Sequence, residues 1–267
     1  MSAPEAEQIQ FALASLHSRG WEEVNHGKRI EFKVWALDTE TPEIIRFLSP
    51  LLSGKIREQK VKTEKWEKSW KAFFKPIQVG KRLLVLPSWM KPDKNEKRIK
   101  VRLNPGMAFG NGDHPTTQMC LLALEKNVQP GDRWLDLGTG SGILAIAATK
   151  LGAKEVLAMD EDPIALHYAK ANREKNHLTG KIKLLERTRP PRARKFDGIV
   201  SNILAEPLVE LAPSILSALK PGGVLILSGI TREKAPWLIR EYKRLKAVVL
   251  AFESRKEWVC LRLELHT

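Results

Sequence analysis

The sequence predicts an α/β fold in which a small α+β domain precedes a doubly wound, mostly parallel sheet with a C-terminal antiparallel hairpin. In the second half of the chain, short apolar runs alternate with helical segments, as expected for parallel strands joined by crossover helices. Two further apolar runs, at 245–252 and 258–265, are joined only by residues 253–257. Because that connection is too short for a crossover helix, the two runs must form an antiparallel hairpin.

The first ninety residues mix helical and strand patterns over a short span, which favours a small α+β layer. The predicted elements are a helix at 5–18, a strand at 29–37, a helix at 41–52 opened by Thr41 and Pro42, and a strand at 81–87. We predict a domain at 1–90, a polar linker at 91–103 whose last residues, 99–103, form a strand, and a second domain at 104–267.

The second domain shows strands and helices in regular alternation. The predicted strands are 134–137, 155–159, 182–185, 198–201 and 224–227, and the predicted helices are 143–150, 163–175 and 207–219, with a turn at 221–223. The pair Asp162 and Pro163 predicts an N-cap followed by proline at the first helical position.

Composition excludes several classes of protein. Apolar residues make up 43% of the chain, and charges interrupt every apolar run before the ~18–20 residues of a membrane span. The N-terminus lacks an apolar signal core, so we expect a cytoplasmic protein that does not enter a membrane. Two cysteines, Cys120 and Cys260, are too few for a disulfide framework, and we expect no metal site.

The chain is strongly basic, with a formal net charge of +14 and a pI of about 9.8. One interpretation is a solvated surface rich in Lys and Arg. The other is a partner that is nucleic acid or a ribonucleoprotein, because phosphates attract clustered cations. Net charge alone does not distinguish the two.

A glycine-rich loop follows the strand at 134–137 and opens a helix, which is the context of a nucleotide-binding turn. Its glycines, Gly138, Gly140 and Gly142, are each separated by one residue, and Asp136 precedes them. A dinucleotide fingerprint has two residues between its second and third glycines, so the spacing disfavours a nicotinamide oxidoreductase. The loop resembles the first motif of Rossmann-like methyltransferases. Asp160, which ends the next strand, is the candidate acceptor for two ribose hydroxyls.

Asn202 ends the fourth strand of the domain, where ligands of doubly wound sheets bind. Its amide oxygen can hold an N–H group of a neutral amine without adding a competing charge. Positioning of that kind supplies much of the acceleration in an in-line displacement. The alternative is that Asn202 caps the helix that begins near Pro207.

Several segments resemble the bacterial enzyme family that methylates large-subunit ribosomal protein eleven. They are 104–117 (NPGMAFGNGDHPTT), 136–148, 202–207 (NILAEP), 225–230 and 257–259, with a weaker likeness before residue 90. The resemblance implies a Rossmann-like methyltransferase fold, with S-adenosylmethionine as cofactor and a large-subunit ribosomal protein as substrate, methylated on lysine and N-terminal amines. It also implies that residues 1–90 recognise the substrate. The basic charge would allow the protein to bind that substrate on ribosomal RNA. The cofactor contacts it implies are Thr117, Gly138, Gly140, Asp160 and Asn202, and Asn202 is the catalytic candidate.

The chain departs from the family pattern in two places. Asp113 stands where the family more often has threonine, and residues 186–195 are rich in Arg and Pro, which leaves the adenine contacts open. His114 is titratable, but the following proline favours a structural role over a general base. The aromatic residues Trp66, Trp70 and Phe74 follow helical spacing, which favours a packed helix face over a substrate surface.

Two alternatives stay open at this point. The first is a methyltransferase that acts on RNA, on a small molecule or on another protein. The second is a basic ribosome-binding module with a non-catalytic cofactor site, which the complete set of glycines together with Asp160 and Asn202 disfavours.

Overall fold

The computed structural model describes residues 9, 21–25, 30–34, 41–52, 56–59, 75–104, 110, 112–191 and 195–265. Contacts divide the chain into two compact units, Met1–Trp70 and Lys71–Thr267. The predicted helix at 5–18 and the aromatic residues Trp66, Trp70 and Phe74 lie largely outside the described residues, which include only Ile9 of that helix.

The first unit is a small α+β layer. Strands β1 (Trp21–Asn25) and β2 (Ile30–Val34) pair antiparallel, and helix α1 (Thr41–Leu48) runs into a short 3-10 turn at Ser49–Leu51. Buried Ile9, Ile44 and Leu48 form its core. The strand β1 was not predicted, whereas β2 and α1 fall inside the predicted ranges 29–37 and 41–52.

The second unit begins with a three-stranded sheet of β3 (Ile77–Val79), β4 (Leu83–Pro87) and β5 (Ile99–Leu103). In it β3 pairs antiparallel with β4, and β5 pairs parallel with β4. Apolar side chains from all three strands, among them Val85 and Val101, are buried in the core of this unit. The unit therefore starts earlier than the predicted boundary, and 99–103 is a packed strand. The polar residues that suggested a linker lie in the connection from β4 to β5, where most are at least partly exposed.

A seven-stranded sheet forms the rest of the unit, in the order β11–β12–β10–β9–β6–β7–β8. Its strands are β6 (Arg133–Leu137), β7 (Glu155–Asp160), β8 (Ile182–Glu186), β9 (Phe196–Asn202), β10 (Leu219–Thr231), β11 (Ala247–Arg255) and β12 (Trp258–Leu265). The helices are α2 (Pro115–Asn127), α3 (Ile143–Leu151), α4 (Pro163–Lys175), α5 (Ala205–Ala218) and α6 (Ala235–Arg244). Only β12 runs antiparallel to its neighbours, β10 and β11, which confirms the predicted hairpin.

The alternation of side chains along the strands divides the core into two layers. In β6, Trp134 packs on the face covered by α2 and α3, whereas Leu135 packs on the face covered by α5 and α6. Helix α3, which is apolar except for Thr149 and Lys150, is almost fully buried. The helices α2 and α6 were not predicted. Helix α6 buries only three side chains among many charges, namely Ala235, Leu238 and Tyr242, so its apolar pattern is weak. The fold class itself, a doubly wound α/β sheet, is confirmed.

One contact in this core depends on the absence of a side chain. A Cβ atom at Gly198 in β9 would lie 2.3–2.5 Å from three ring atoms of the buried Trp134 indole. We expect Gly198→Ala to lower the free energy of unfolding by about 1–3 kcal/mol, because the core must shift to accept the methyl group. Urea unfolding measures this. Gly180→Ala is the control: no atom lies within 4 Å of its Cβ position. Equal unfolding midpoints for the two variants would contradict the assignment.

Candidate active site

Three neighbouring strands end at the candidate site. The order β9–β6–β7 places the residues that follow each strand side by side, and the chain leaves β6 and β9 towards opposite edges of the sheet. Ligands of doubly wound sheets bind at such a switch point, beyond the carboxyl ends of the strands. Asn202 ends β9, Gly138 follows β6, and Asp160 ends β7. The fold thus brings together residues that are far apart in sequence.

The glycine-rich loop needs the glycine at position 138. Gly138 has a φ of 73°, and a Cβ atom there would lie 2.3 Å from Cγ2 of Ile203. The backbone N–H groups of Gly138 and Thr139 both donate to the carbonyl of Met159, at 2.9 and 2.8 Å. These bonds join the loop to β7, while the absence of a side chain at Gly138 lets the loop lie directly against Ile203.

Buried Asp136 holds the turn from β6 into α3. Its Oδ2 atom accepts from the Thr139 hydroxyl at 2.6 Å and from the Ala145 backbone N–H at 3.0 Å. Its Oδ1 atom is buried without a hydrogen-bond partner. Burial raises the pKa of Asp136 to about 7, although the bonds from Thr139 and Ala145 oppose the shift.

The carboxylate of Asp160 shapes the loop as well as the cavity. Its Oδ2 atom accepts from the Gly140 N–H at 2.8 Å, and its Oδ1 atom accepts from the Asp162 N–H at 3.1 Å. Asp162 in turn caps α4 by accepting from the Ile164 N–H at 2.8 Å, which confirms the predicted cap. Both Asp160 and Asp162 line the cavity, but only Asp160 bonds the glycine-rich loop.

Asn202 has an amide oxygen with no partner. Its Nδ2 atom donates to the hydroxyl of buried Thr117 over a long 3.4 Å, and its Oδ1 atom is buried with no hydrogen bond. The N-cap of α5 is Leu204, so Asn202 does not cap that helix. The alternative assignment of Asn202 as a helix cap is therefore not supported.

His114 begins α2 and thereby places Thr117. Its Nδ1 atom lies 2.7 Å from the Thr116 hydroxyl and accepts from the Thr116 N–H at 3.4 Å, and Pro115 takes the first helical position. Its ring also packs edge-on against Trp258, with centroids 5.1 Å apart. These contacts support the structural role that the sequence favoured for this histidine.

These residues line one cavity of about 640 Å³. All five predicted cofactor contacts line it: Thr117, Gly138, Gly140, Asp160 and Asn202. Sequence reasoning had given no role to several other lining residues: Gly110, Thr139, Arg187, Thr188, Leu204 and Trp258. Part of the signal was present, since Trp258 belongs to a segment with family likeness and Arg187 lies in the stretch where the adenine contacts were left open.

Glu206 does not line the cavity. Its exposed carboxylate pairs with Lys234, and this hydrogen bond lowers the pKa of Glu206.

Among the described residues, no group of three or more His, Cys, Asp or Glu side chains is arranged to hold a metal ion. In the same part of the chain, no helix is long and apolar enough to cross a membrane.

The raised pKa of Asp136 predicts a pH dependence of stability. Between pH 4 and 7 the folded protein keeps this carboxyl protonated while the unfolded chain ionises it, so the folded state binds more protons. The contribution of Asp136 to stability is therefore lost as the pH rises through this window, by at most about 1.4 kcal/mol per pH unit. Urea unfolding of wild type and Asp136→Asn across the window measures this. We expect the free energy of unfolding of the wild type to fall relative to that of Asp136→Asn as the pH rises. Parallel curves would refute the assignment.

Comparison with known proteins identifies the family. Residues 21–266 match the family described as Ribosomal protein L11 methyltransferase (PrmA). The ribosomal protein L11 methyltransferase of Pelotomaculum thermopropionicum is 39% identical over 227 residues, which cover 84% of this chain and 74% of the relative. That of Chloroflexus aurantiacus is 39% identical over 260 residues, which cover 88% of this chain and 76% of the relative.

Solved structures agree. The crystal structure of a ribosomal protein L11 methylase from Lactobacillus delbrueckii subsp. bulgaricus superposes with a TM-score of 0.67 at 34% identity, and the match covers 72% of this chain and 99% of that one. The M. jannaschii tRNA m1G37 methyltransferase, at a TM-score of 0.50 and 17% identity, shares the fold alone. The chain therefore belongs to the ribosomal protein L11 methyltransferase family.

Proposed function

We propose that this protein transfers methyl groups from S-adenosylmethionine to lysine side-chain and N-terminal amines of large-subunit ribosomal protein L11. The observation that carries the proposal is the cavity at the switch point of the sheet, lined by all five expected contact residues in a chain of this family. S-adenosylmethionine, when bound, supplies an electrophilic methyl group on a positively charged sulfur.

The residues present fit that cofactor. The cavity volume of about 640 Å³ lies within the usual range for small-molecule sites. Each oxygen of Asp160 accepts one backbone N–H and retains lone-pair capacity, so the carboxylate can also accept from two ribose hydroxyls. The backbone of Gly138 and Gly140 offers a surface without side chains to the amino-acid end of the cofactor.

Asn202 supplies what the methyl acceptor needs. Its buried Oδ1 atom has no partner, and such an unsatisfied acceptor is costly unless a ligand completes it. A neutral amine that donated one N–H to this oxygen would be held with its lone pair free to accept a methyl group. With the cofactor bound, the methyl group would pass from sulfur to this nitrogen, and the amine would lose a proton to solvent.

The acceptor must arrive neutral, since a protonated lysine, with an unperturbed pKa near 10.4, has no lone pair. Glu206, the nearest acidic candidate in the sequence, is occupied by Lys234 outside the cavity, so we assign no general base to it. The transfer rate should rise with pH as the amine deprotonates.

A direct assay separates this function from its rivals. Labelled S-adenosylmethionine is incubated with the protein and a mixture of ribosomal proteins and ribosomal RNA. We expect label in ribosomal protein L11. Label in the RNA fraction would instead support an RNA methyltransferase, and cofactor binding without any transfer would support a non-catalytic ribosome-binding module.

We also propose that the net charge of +14 lets the protein bind its substrate on ribosomal RNA, in the cytoplasm.

We further propose that the first unit recognises the protein substrate. The described residues that line the cavity all fall between Gly110 and Trp258, within the second unit. A chain of residues 71–267 keeps β3–β5 and should bind S-adenosylhomocysteine like the full protein, yet fail to methylate ribosomal protein L11. Transfer at the full rate by this shortened chain would remove the recognition role from residues 1–70.

Asp160→Ala should weaken cofactor binding. Loss of a charge-assisted hydrogen bond costs about 1.5–3 kcal/mol, which corresponds to roughly tenfold to a hundredfold in the dissociation constant for S-adenosylhomocysteine. Calorimetry measures the affinity. The control is Asp197→Ala, which removes a carboxylate near the opposite, amino end of β9, where it bonds Arg133 and Lys220. An unchanged affinity in folded Asp160→Ala would refute the ribose assignment.

Asn202→Ala should slow methyl transfer more than it weakens cofactor binding. Misplacement of the acceptor amine costs roughly tenfold to a hundredfold in rate, because the reaction depends on alignment. Single-turnover kinetics at saturating cofactor, over a pH series, measure the transfer step. Glu206→Gln serves as the control and should retain the wild-type rate, since its side chain lies outside the cavity. A near-normal rate in Asn202→Ala would falsify the amine-orienting role.

A further inference from the structure

Asn172 is a fully buried asparagine on α4 that does not line the cavity. Its Oδ1 atom accepts from the Asn104 backbone N–H at 2.7 Å, and its Nδ2 atom donates to the Ser141 carbonyl at 2.8 Å. The side chain thus joins the residue after β5 to the glycine-rich loop. Inside a protein such bonds are strong, and leaving one of these backbone groups unpaired is costly.

Ser141 holds a second point of the same stretch of chain. Its hydroxyl donates to the carbonyl of Gly110 at 2.8 Å. Asn104 and Gly110 bracket the sequence that precedes α2, and both are tied to Ser141, the first through Asn172 and the second directly. Gly110 lines the cavity, whereas Ser141 lies between Gly140 and Gly142 of the loop.

Asn176 provides a natural comparison one helical turn later. Its Oδ1 atom accepts from the Arg102 N–H at 3.1 Å, and its Nδ2 atom donates to the Arg102 carbonyl at 2.6 Å. Both asparagines therefore dock α4 against β5 or the residue that follows it. Of the two, only Asn172 also bonds the glycine-rich loop. A comparison of substitutions at the two positions therefore distinguishes a docking role from a role in the cofactor site.

We infer that Asn172 is a positioning residue for the cofactor, acting through Ser141. This inference rests on the proposed function. The clamp formed by Asn172 and Ser141 fixes the glycine-rich loop relative to Asn104 and Gly110, and both the loop and Gly110 line the cavity. When the clamp is removed, the binding-competent arrangement is a smaller fraction of the free protein, and the apparent affinity falls in proportion to that fraction.

The test compares full-length wild type, Asn172→Ala and Asn176→Ala by calorimetric titration with S-adenosylhomocysteine and by urea unfolding. Both variants should lose stability, because each leaves backbone groups that are at least partly buried without a partner. The dissociation constant should rise about tenfold for Asn172→Ala, which is the change expected from the loss of one or two hydrogen bonds. For Asn176→Ala it should rise less than about twofold. Equal effects of the two variants on affinity would overturn the inference, since docking alone would explain them.

Ser141→Ala provides a second route, which applies even if Asn172→Ala does not fold. It removes only the bond to Gly110, and it should raise the KM for S-adenosylmethionine while the rate at saturating cofactor stays near the wild-type value. Wild-type KM in Ser141→Ala, or wild-type affinity in folded Asn172→Ala, would overturn the inference and leave the proposed function intact. Failure of the wild type itself to bind S-adenosylhomocysteine would overturn both.

Discussion

The site depends first on one buried carboxyl group. Asp136 sits at the end of β6 with no solvent exposure and ties the loop at Thr139 to the first turn of α3 at Ala145. Burial of an acid is unfavourable, and the raised pKa is the sign of that cost. In return the turn has one geometry, which sets where Gly138 and Gly140 lie.

From this turn outward, polar contacts connect the site to successive layers of the fold. Asp160 bonds Gly140, so β7 shares in fixing the loop, and Asn202 contacts Thr117, so β9 is joined to α2. Two acceptor atoms in the described core, on Asp136 and Asn202, remain without partners. Of these two residues only Asn202 lines the cavity, which supports the proposal that Asn202 contacts a ligand whereas Asp136 shapes the site.

Much of the second unit was predictable, because each signal was local. The glycine spacing, the cap at Asp162 and the short final hairpin each depend on a few consecutive residues. The boundary near residue 70 was not predictable in this way, since charged residues between β4 and β5 resemble a linker until Val101 is seen in the core. Asn172 carries no recognisable pattern at all, because its partners at 104 and 141 are chosen by tertiary packing.

The position of β12 has a consequence for synthesis of the chain. This strand is the last in sequence among the described elements, yet it lies inside the sheet between β10 and β11, with Val259, Leu261 and Leu263 fully buried. While the chain is being made, β10 waits with an open apolar edge, and an open edge is a template for pairing with other chains. Trp258, which begins β12, also completes the cavity wall. Until β12 pairs with β10, a chain of this fold lacks part of the cavity wall, and the open edge of β10 favours pairing with other chains.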